Sequence, residues 1–327
     1  MKDTQPLVSV IAACYNHSRF VLECLESIRN QTYKNTQLII LDDCSMDDSV
    51  AMIRAWIAEH AVECIFVAHS ENEGICRTLN EALTYTTGKY VSIISTDDVW
   101  AADKLECQVE QMEQLPEDVG VLYGDAMQID ESGNLLPATY MDSDPSFSTP
   151  PEGHVLPMLF VSNFVPAVAT LIRKSCYDKV GVYDEKLSFE DLDMWLRIAE
   201  CYKFAFSPHI SSKYRIVATS MVRTVSRTTK WLTSKFVIYS RYVGFDNTDC
   251  FHKRALKDHL DATAEMIYEI GYEKRNFYLW KTLRYDPRLR TLGMFIFSAC
   301  GATYNTFSDF DAWFARLRQR FRSFAVK

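Results

Sequence analysis

A chain of 327 residues, 48% hydrophobic and 24% charged, is long enough for one large domain or two ordinary ones and has the composition of a soluble globular protein. The net charge of −8 conceals an asymmetry: residues 1–220 carry 16 Lys and Arg against 33 Asp and Glu, and residues 221–327 carry 19 against 10. A uniformly basic nucleic-acid binder is excluded, and any affinity for a polyanion or an anionic membrane surface falls on the last third, where the plainer alternative is a helical appendage with many solvated cations.

Lys2, Asp3, Thr4, Gln5 and Pro6 precede a short first apolar run, so the start does not read as a secretion signal and the chain is expected in the cytoplasm. The apolar runs near 292–300 fall short of the ~20 residues needed to span a bilayer. The ten cysteines are scattered, without a C-x-x-C pair, and Cys14, Cys24, Cys64 and Cys107 lie in apolar runs. They read as reduced core residues rather than a disulfide or zinc framework.

Along the first 125 residues short apolar runs alternate with helix-period segments, the pattern of a mainly parallel sheet covered by helices. Residues 7–13 (LVSVIAA) read as a buried strand, and 18–31 place Phe20, Val21, Cys24, Leu25 and Ile28 on one helical face. A second strand is predicted at 37–41, with a helix over 47–60 that repeats Val50, Ile53, Trp56 and Ile57. The third strand is 63–68. It is followed by a turn at Asn72–Gly74 and a helix through Leu79, Ala82 and Leu83 that stops near Gly88. The fourth, YVSIIS at 90–95, runs into Asp97 and Asp98. Residues 142–157 hold four prolines and read as a surface loop, lid or hinge. A strand-like stretch (167–173) and an amphipathic helix (189–202, with Leu192, Trp195, Leu196 and Ile198 inward) come next. From about 225 the pattern is helical almost to the end.

Every strand of the first half ends in polar residues: CYN at 14–16, DDCS at 42–45, HSENEG at 69–74, TDD at 96–98. In open α/β sheets ligands bind beyond the carboxyl ends of the strands, so these four ends mark one candidate rim. Neither G-x-G-x-x-G nor a P-loop occurs. Two adjacent carboxylates at a strand end suit Mg²⁺ or Mn²⁺, which take hard oxygen ligands and complete their shell with substrate phosphates and water. The alternative is that Asp97 or Asp98 caps a helix starting at Ala101. Asp42 and Asp43 suit acceptance from a nucleobase N–H or ribose hydroxyl; capping of the helix from Asp47 competes, while a phosphoacceptor role of the receiver kind is discounted because such a domain is far shorter than this chain. Glu190 and Asp191 open a helix, whose dipole favours an ionised carboxylate, the state a general base requires, although first-turn acids often only stabilise a helix.

Together the blocks VSVIAACYNHSRFVLECLESIRNQTY, IILDDCSMDDS, NEGICRTLNEAL, GKYVSIISTDDVW, VGVYDEKLSFEDLDMWLRIA and KYRI resemble, in order and spacing, a family 2 glycosyltransferase of the inverting, GT-A type over roughly residues 7–216. The resemblance implies an α/β GT-A fold, Rossmann-like, with a mainly parallel central sheet flanked by helices and a helical C-terminal extension. It implies a catalytic domain over 1–222, its nucleotide-sugar half about 1–125 and its acceptor half about 126–222, and a helical region over 223–327. Tyr15, Asn16, Asp42 and Asp43 match residues that hold the nucleoside, usually uridine. Asn72, Gly74 and Arg77 match a block near the base or diphosphate. Asp98 matches the metal ligand, with Asp97 beside it at the ribose or metal. Asp191 matches the catalytic base, with Glu190 toward the acceptor, and Arg215 a basic residue near the leaving phosphates.

The activity implied by the resemblance is transfer from a nucleotide sugar, a UDP-sugar in the first instance, to a hydroxyl of a glycan or lipid-linked acceptor, with Mn²⁺ or Mg²⁺ as cofactor and no nucleic acid as partner. Many relatives carry a His two residues after the YR pair; here that place holds Val217, and Arg223 and Arg227 are candidates to compensate at the diphosphate. A non-catalytic nucleotide-sugar or glycan-binding relative is the alternative, and a sugar-1-phosphate nucleotidyltransferase ranks below it because ACYNHSRF has neither the Gly nor the Lys of its loop. The tail over 310–327 places Phe310, Trp313, Phe314, Leu317, Phe321 and Phe324 near one stripe, with Arg316, Arg318, Arg320 and Arg322 mostly elsewhere. That arrangement fits peripheral binding to the inner membrane face as well as an ordinary packed helix.

Overall fold

The structure is a computed structural model that describes residues 5–144, 146–217, 228–245 and 249–325; of residues 314 and 316–325 only the backbone is described. The chain divides into two compact units, Met1–Ser220 and Met221–Lys327.

The first unit is built on one sheet. Four parallel strands open it: β1 (Val8–Cys14), β2 (Thr36–Asp42), β3 (Cys64–Ala68) and β4 (Tyr90–Ser95), in the order β3-β2-β1-β4. Strands buried on both faces read as continuous apolar runs, and β1 is buried at all seven positions. Helices α1 (Val21–Arg29), α2 (Ser49–His60) and α3 (Ile75–Tyr85) make the crossovers. The predicted inward face of α1, with Phe20 just before it, is buried throughout; in α2 Ile53 and Trp56 are buried while Val50 and Ile57 are half-buried.

Beyond β4 the pairing turns mixed. The two-residue β5 (Val99–Trp100) follows the carboxylate pair, then α4 (Lys104–Gln114) leads to the long β6 (Val119–Ile129), which hairpins into β7 (Leu135–Thr139). A 3₁₀ turn at Met141–Ser143 and α5 (Leu156–Leu159) occupy the segment read as a proline-rich loop. Strand β8 (Thr170–Arg173) pairs antiparallel with both β4 and β6. After α6 (Lys174–Val180) and α7 (Asp191–Ala199), β9 (Lys203–Arg215) runs parallel to β6 and antiparallel to β5. Among the described residues the sheet has nine strands, ordered β3-β2-β1-β4-β8-β6-β9-β5 with β7 on β6. The stretch 167–173 is strand only from Thr170, because a 3₁₀ turn takes Ala167–Ala169.

The second unit is helical among its described residues: α8 (Thr229–Ser240), α9 (Cys250–Glu269), α10 (Arg275–Tyr285), α11 (Leu289–Ala299) and α12 (Tyr304–Ala325). Leu232, Phe236, Leu256, Leu260, Ile267, Leu279 and Met294 are buried, and Arg288 ties α9 to the start of α11 through Asp258, Asp261 and Asp286. All ten cysteines are free thiols. No helix among the described residues is long and apolar enough to cross a membrane.

Candidate active site

The registers place all four polar strand ends side by side, with Cys14 opposite Asp42, Ala13 opposite Ser95 and Asp42 opposite Ala68. Two non-glycine residues just past them, Asn16 (φ 57°) and Cys44 (φ 62°), adopt the left-handed conformation, a strain that clusters at functional sites. It is held by a relay: the Asn16 N–H donates to Ser45 Oγ (2.8 Å), Ser45 Oγ donates to Asp42 Oδ2 (2.6 Å), and Asn16 Oδ1 accepts from the Met46 N–H (2.8 Å). Asp42, fully buried, also accepts from the Ser45 N–H, so its carboxylate is committed to shaping this turn. Neither Asp42 nor Asp43 caps a helix, since α2 begins beyond Asp48. Tyr15 is 45% exposed at the mouth of β1.

Asp43 anchors the third strand end. Its Oδ1 accepts from the Glu73 N–H (2.8 Å) and its Oδ2 from the Gly74 N–H (2.9 Å), while its backbone oxygen accepts from Asn72 Nδ2 (3.1 Å). Gly74, at φ 86°, occupies a conformation that L side chains rarely adopt, which is why the turn into α3 carries a glycine. Reading the sequence missed His69, which spans Asp43 Oδ1 (2.9 Å) and Glu81 Oε2 (3.1 Å). Burial alone would lower its pKa, but the two carboxylates outweigh that and raise it. Arg77 is exposed and paired with Glu73 at 3.0 Å.

The doublet is held at both ends. The Thr96 N–H donates to Ala13 O, the Asp98 N–H to Ser95 O, and β5 then joins β9 at once. The helix after it begins only at Lys104, behind Asp103, so neither Asp97 nor Asp98 is its cap. Asp98 is buried (4% exposed) and its Oδ1 accepts the backbone N–H of Arg215 at 2.8 Å. Burial and the neighbouring charge of Asp97 push its carboxyl well above the usual range. Asp97 Oδ2 stands 3.8 Å from Nε2 of His17, whose Nδ1 meets Thr96 Oγ1 at 2.9 Å. Two adjacent hard-oxygen donors, one buried at an electrostatic cost that a cation would offset, fit a divalent metal. Val217, buried and apolar, offers it no ligand. The described residues also contain two groups of three ligand atoms within 4.8 Å of one another, His69/Glu73/Glu81 and Asp103/Cys107/His209, and neither includes the doublet.

Arg215 is turned inward. Its Nε donates to Asp97 O (2.7 Å), Nη1 to Asp130 O (3.1 Å) and Nη2 to Glu23 Oε2 (2.5 Å), with the guanidinium 4.7 Å from the centre of the Phe20 ring. It therefore braces the strand end that carries Asp97 and Asp98. Arg223 and Arg227 lie outside the described residues, as do the side chains of the tail stripe at Phe314, Leu317, Phe321 and Phe324 and its arginines from Arg316 onward. Phe310 and Trp313 are exposed, 5.8 Å apart ring to ring.

Glu190 immediately precedes α7 and Asp191 is its first residue. Burial and the charge of Asp191 push Glu190 up to about 8. Asp191 is also raised by burial, but the Leu192 N–H (2.7 Å) and Asn163 Nδ2 (2.7 Å) donate to it and pull the other way. Of two coupled carboxyls the one with donors ionises first, so Asp191 is the one favoured to carry the charge and Glu190 the one favoured to keep the proton. Asn163 was not visible in sequence, because its partner lies 28 positions away in a different element. From it the contacts continue. Asn163 O accepts from Tyr140 Oη (3.4 Å), the Tyr140 ring packs edge-on to Tyr214 (5.5 Å), and Tyr214 adjoins Arg215, which holds Asp98.

Known proteins resemble this chain in both sequence and fold. The model of glycosyl transferase family 2 matches residues 9–149. The uncharacterized glycosyltransferase MJ1057 of Methanocaldococcus jannaschii is 32% identical over 219 residues, 65% of this chain and 71% of that protein. An uncharacterized glycosyltransferase of Rickettsia bellii is 29% identical over 211 residues, 64% of this chain, which there spans only 30% of its relative's length. Two solved structures share the fold. S. aureus TarS 1-349 in complex with UDP-GlcNAc has a TM-score of 0.57 at 14% identity, covering 88% of this chain and 78% of that one. Mannosyltransferase PcManGT from Pyrobaculum calidifontis, in complex with GDP-Man and Mn2+, has a TM-score of 0.59 at 16% identity, covering 94% and 84%. On the strand-end carboxylates, the mixed α/β sheet and these matches, the chain belongs to glycosyl transferase family 2 and is a glycosyltransferase.

Proposed function

We propose that this glycosyltransferase moves a sugar from a nucleoside-diphosphate sugar, a UDP-sugar first among them, to a hydroxyl of a glycan or lipid-linked saccharide, with inversion. The observation that carries the reading is the run of contacts from Asp191 through Asn163, Tyr140 and Tyr214 to Arg215 and Asp98. It puts a carboxylate able to take a proton and a carboxylate able to hold a cation in one framework. The complexes of two fold neighbours with UDP-GlcNAc and with GDP-Man support a nucleotide-sugar donor.

Asp191 accepts the proton of the acceptor hydroxyl as its oxygen attacks the anomeric carbon from the face opposite the diphosphate, so one base suffices and configuration inverts. Glu190, protonated, leaves a single negative charge there and can donate a hydrogen bond to the acceptor. Tyr15 offers an exposed ring to the nucleobase, while Asn16, Asp42, Asp43, Asn72 and Gly74 shape the nucleoside side through their turns, and Arg77 stands exposed at its edge. Asp98 and Asp97 would hold Mn²⁺ or Mg²⁺, which supplies neutralisation of the charge developing on the departing diphosphate. Arg215 keeps those two carboxylates in place instead of meeting phosphate itself.

A role at the inner membrane face, with the basic tail as contact, is part of the same reading; the exposed Phe310 and Trp313 support it. Co-sedimentation with anionic vesicles, with and without residues 308–327, tests it: equal binding removes it. The donor reading is tested by a thermal-shift screen of UDP, GDP, CMP and dTDP and their sugar conjugates, each with and without Mn²⁺. A metal-dependent shift with one nucleotide is the expected result, and no shift with any would strip Asp43 of its nucleoside role and Asp98 of its metal role.

A further inference from the structure

The side-chain amide of Asn163 is satisfied at one end only. Its Nδ2 donates to Asp191 Oδ2 at 2.7 Å, whereas its Oδ1, buried, has no hydrogen-bond partner among the described residues. Buried amides are ordinarily bonded at both ends, and one placed only to stabilise the fold has no reason to leave its oxygen bare. The orientation is fixed chemically, because an ionised carboxylate only accepts and must face the NH₂. The bare oxygen is the other end of the amide that grips the base, so an unpaired acceptor atom is held buried beside Asp191. The segment itself is fixed independently of this side chain, since Tyr140 Oη donates to the Asn163 backbone oxygen.

We propose that Asn163 is the positioning residue of the reaction: its amide fixes the rotamer of Asp191 and keeps that carboxylate ionised and aimed for the acceptor hydroxyl. The inference rests on the reading of Asp191 as the general base. Among the described residues Asp191 is otherwise held by backbone N–H groups, chiefly that of the next residue, Leu192, a bond that does not orient the carboxylate toward a ligand arriving from outside α7. The titratable groups beside it do nothing to favour ionisation: Glu190, immediately before α7, and Tyr140, just before the 3₁₀ turn, are acids that the charge of Asp191 itself raises, Tyr140 under Tyr214 and Asp144 as well. Burial works against ionisation, and the Asn163 donor is the side-chain contribution that opposes it.

The test is a carboxyl ¹³C NMR titration of the full chain labelled at aspartate, the Asp191 resonance being identified by its loss in Asp191→Asn. In Asn163→Ala the midpoint of Asp191 should rise by about one to two pH units, the value of a hydrogen bond to a charged group. Asn163→Asp, nearly isosteric, replaces the donor with a like charge and should raise it further; it carries the test if the alanine variant fails to fold. An unchanged midpoint in a folded variant overturns the proposal directly. The rising limb of the pH–rate profile for nucleoside-diphosphate release from UDP-GlcNAc, or from whichever donor the screen identifies, should move by the same amount. A shifted NMR midpoint with a stationary rate limb would instead remove Asp191 as base, and the proposal would fall with the reading beneath it.

Discussion

The backbone N–H of Arg215 donates to Oδ1 of Asp98 at 2.8 Å across 117 positions of sequence, while the Arg215 side chain reaches back to the carbonyl of Asp97. One residue thus fixes both members of the doublet, from a strand that pairs with the segment just beyond them. Lysine cannot reproduce three donors in a fork, so Arg215→Lys should strand the carbonyls of Asp97 and Asp130 and destabilise the protein by about 2–4 kcal/mol in urea unfolding. It should also abolish the metal-dependent part of the nucleotide shift. A variant as stable as the wild type would show that Arg215 does not brace the site.

Replacing the base should separate chemistry from binding. In Asp191→Asn the rate of sugar transfer is expected to fall on the order of 10²- to 10⁴-fold while the nucleotide thermal shift is retained. Loss of nucleotide binding in this variant would count against the assignment.

Glu190 sets a pH dependence of stability. Its carboxyl titrates about 8 in the folded protein and near 4.5 when unfolded. Below the lower value both states are protonated, so nothing is lost. Between the two the unfolded state sheds a proton that the native state keeps, and stability declines as pH rises. Glu190→Gln should therefore match the wild type near pH 4 and exceed it by about 2–4 kcal/mol near pH 8, measured by denaturant unfolding at each pH. Equal stability at pH 8 would mean that Glu190 ionises in place.

His69 works with the opposite sign. Its folded pKa is raised, so the bridge from Asp43 to Glu81 stabilises fully below the ordinary histidine range and is lost as pH rises through the folded value. His69→Ala should cost about 1–2 kcal/mol near pH 5.5 and visibly less near pH 9. Because Asp43 also holds the Glu73 and Gly74 amides, nucleotide affinity should weaken with the same pH dependence. A pH-independent loss would reduce the bridge to ordinary packing.

What could be read in the chain was whatever has a local signature. The four parallel strands, the three crossover helices and the acids at their ends emerge from runs, periods and polar termini that each occupy a dozen residues or fewer. The long strands β6 and β9 went unseen, since their pairing couples Val119 with Lys203 and Ile129 with Arg215, and neither strand alternates cleanly. For the site, residue type at a strand end suggested Asp98 and Asp191, but not what holds them. Arg215 reads as a phosphate ligand until its guanidinium is seen enclosed, and nothing in the chain around Asp43 announces that its oxygens accept from Glu73 and Gly74 and meet His69. Asn163 carries no signal at all, because asparagine in a loop is common and its meaning comes from the carboxylate opposite.

The parallel union of β6 with β9 also has a bearing on how the polypeptide is made. At the ribosome β6 emerges well before β8 and β9, so β4 and β6 must wait, edges bare, for partners not yet synthesised. Open, apolar edges of this kind invite pairing with another chain, and parallel closure over long loops is slow. The nascent first unit is thus most vulnerable to aggregation after about residue 130 has been released and before residue 215 has, a window in which a holding chaperone would raise the yield of folded enzyme.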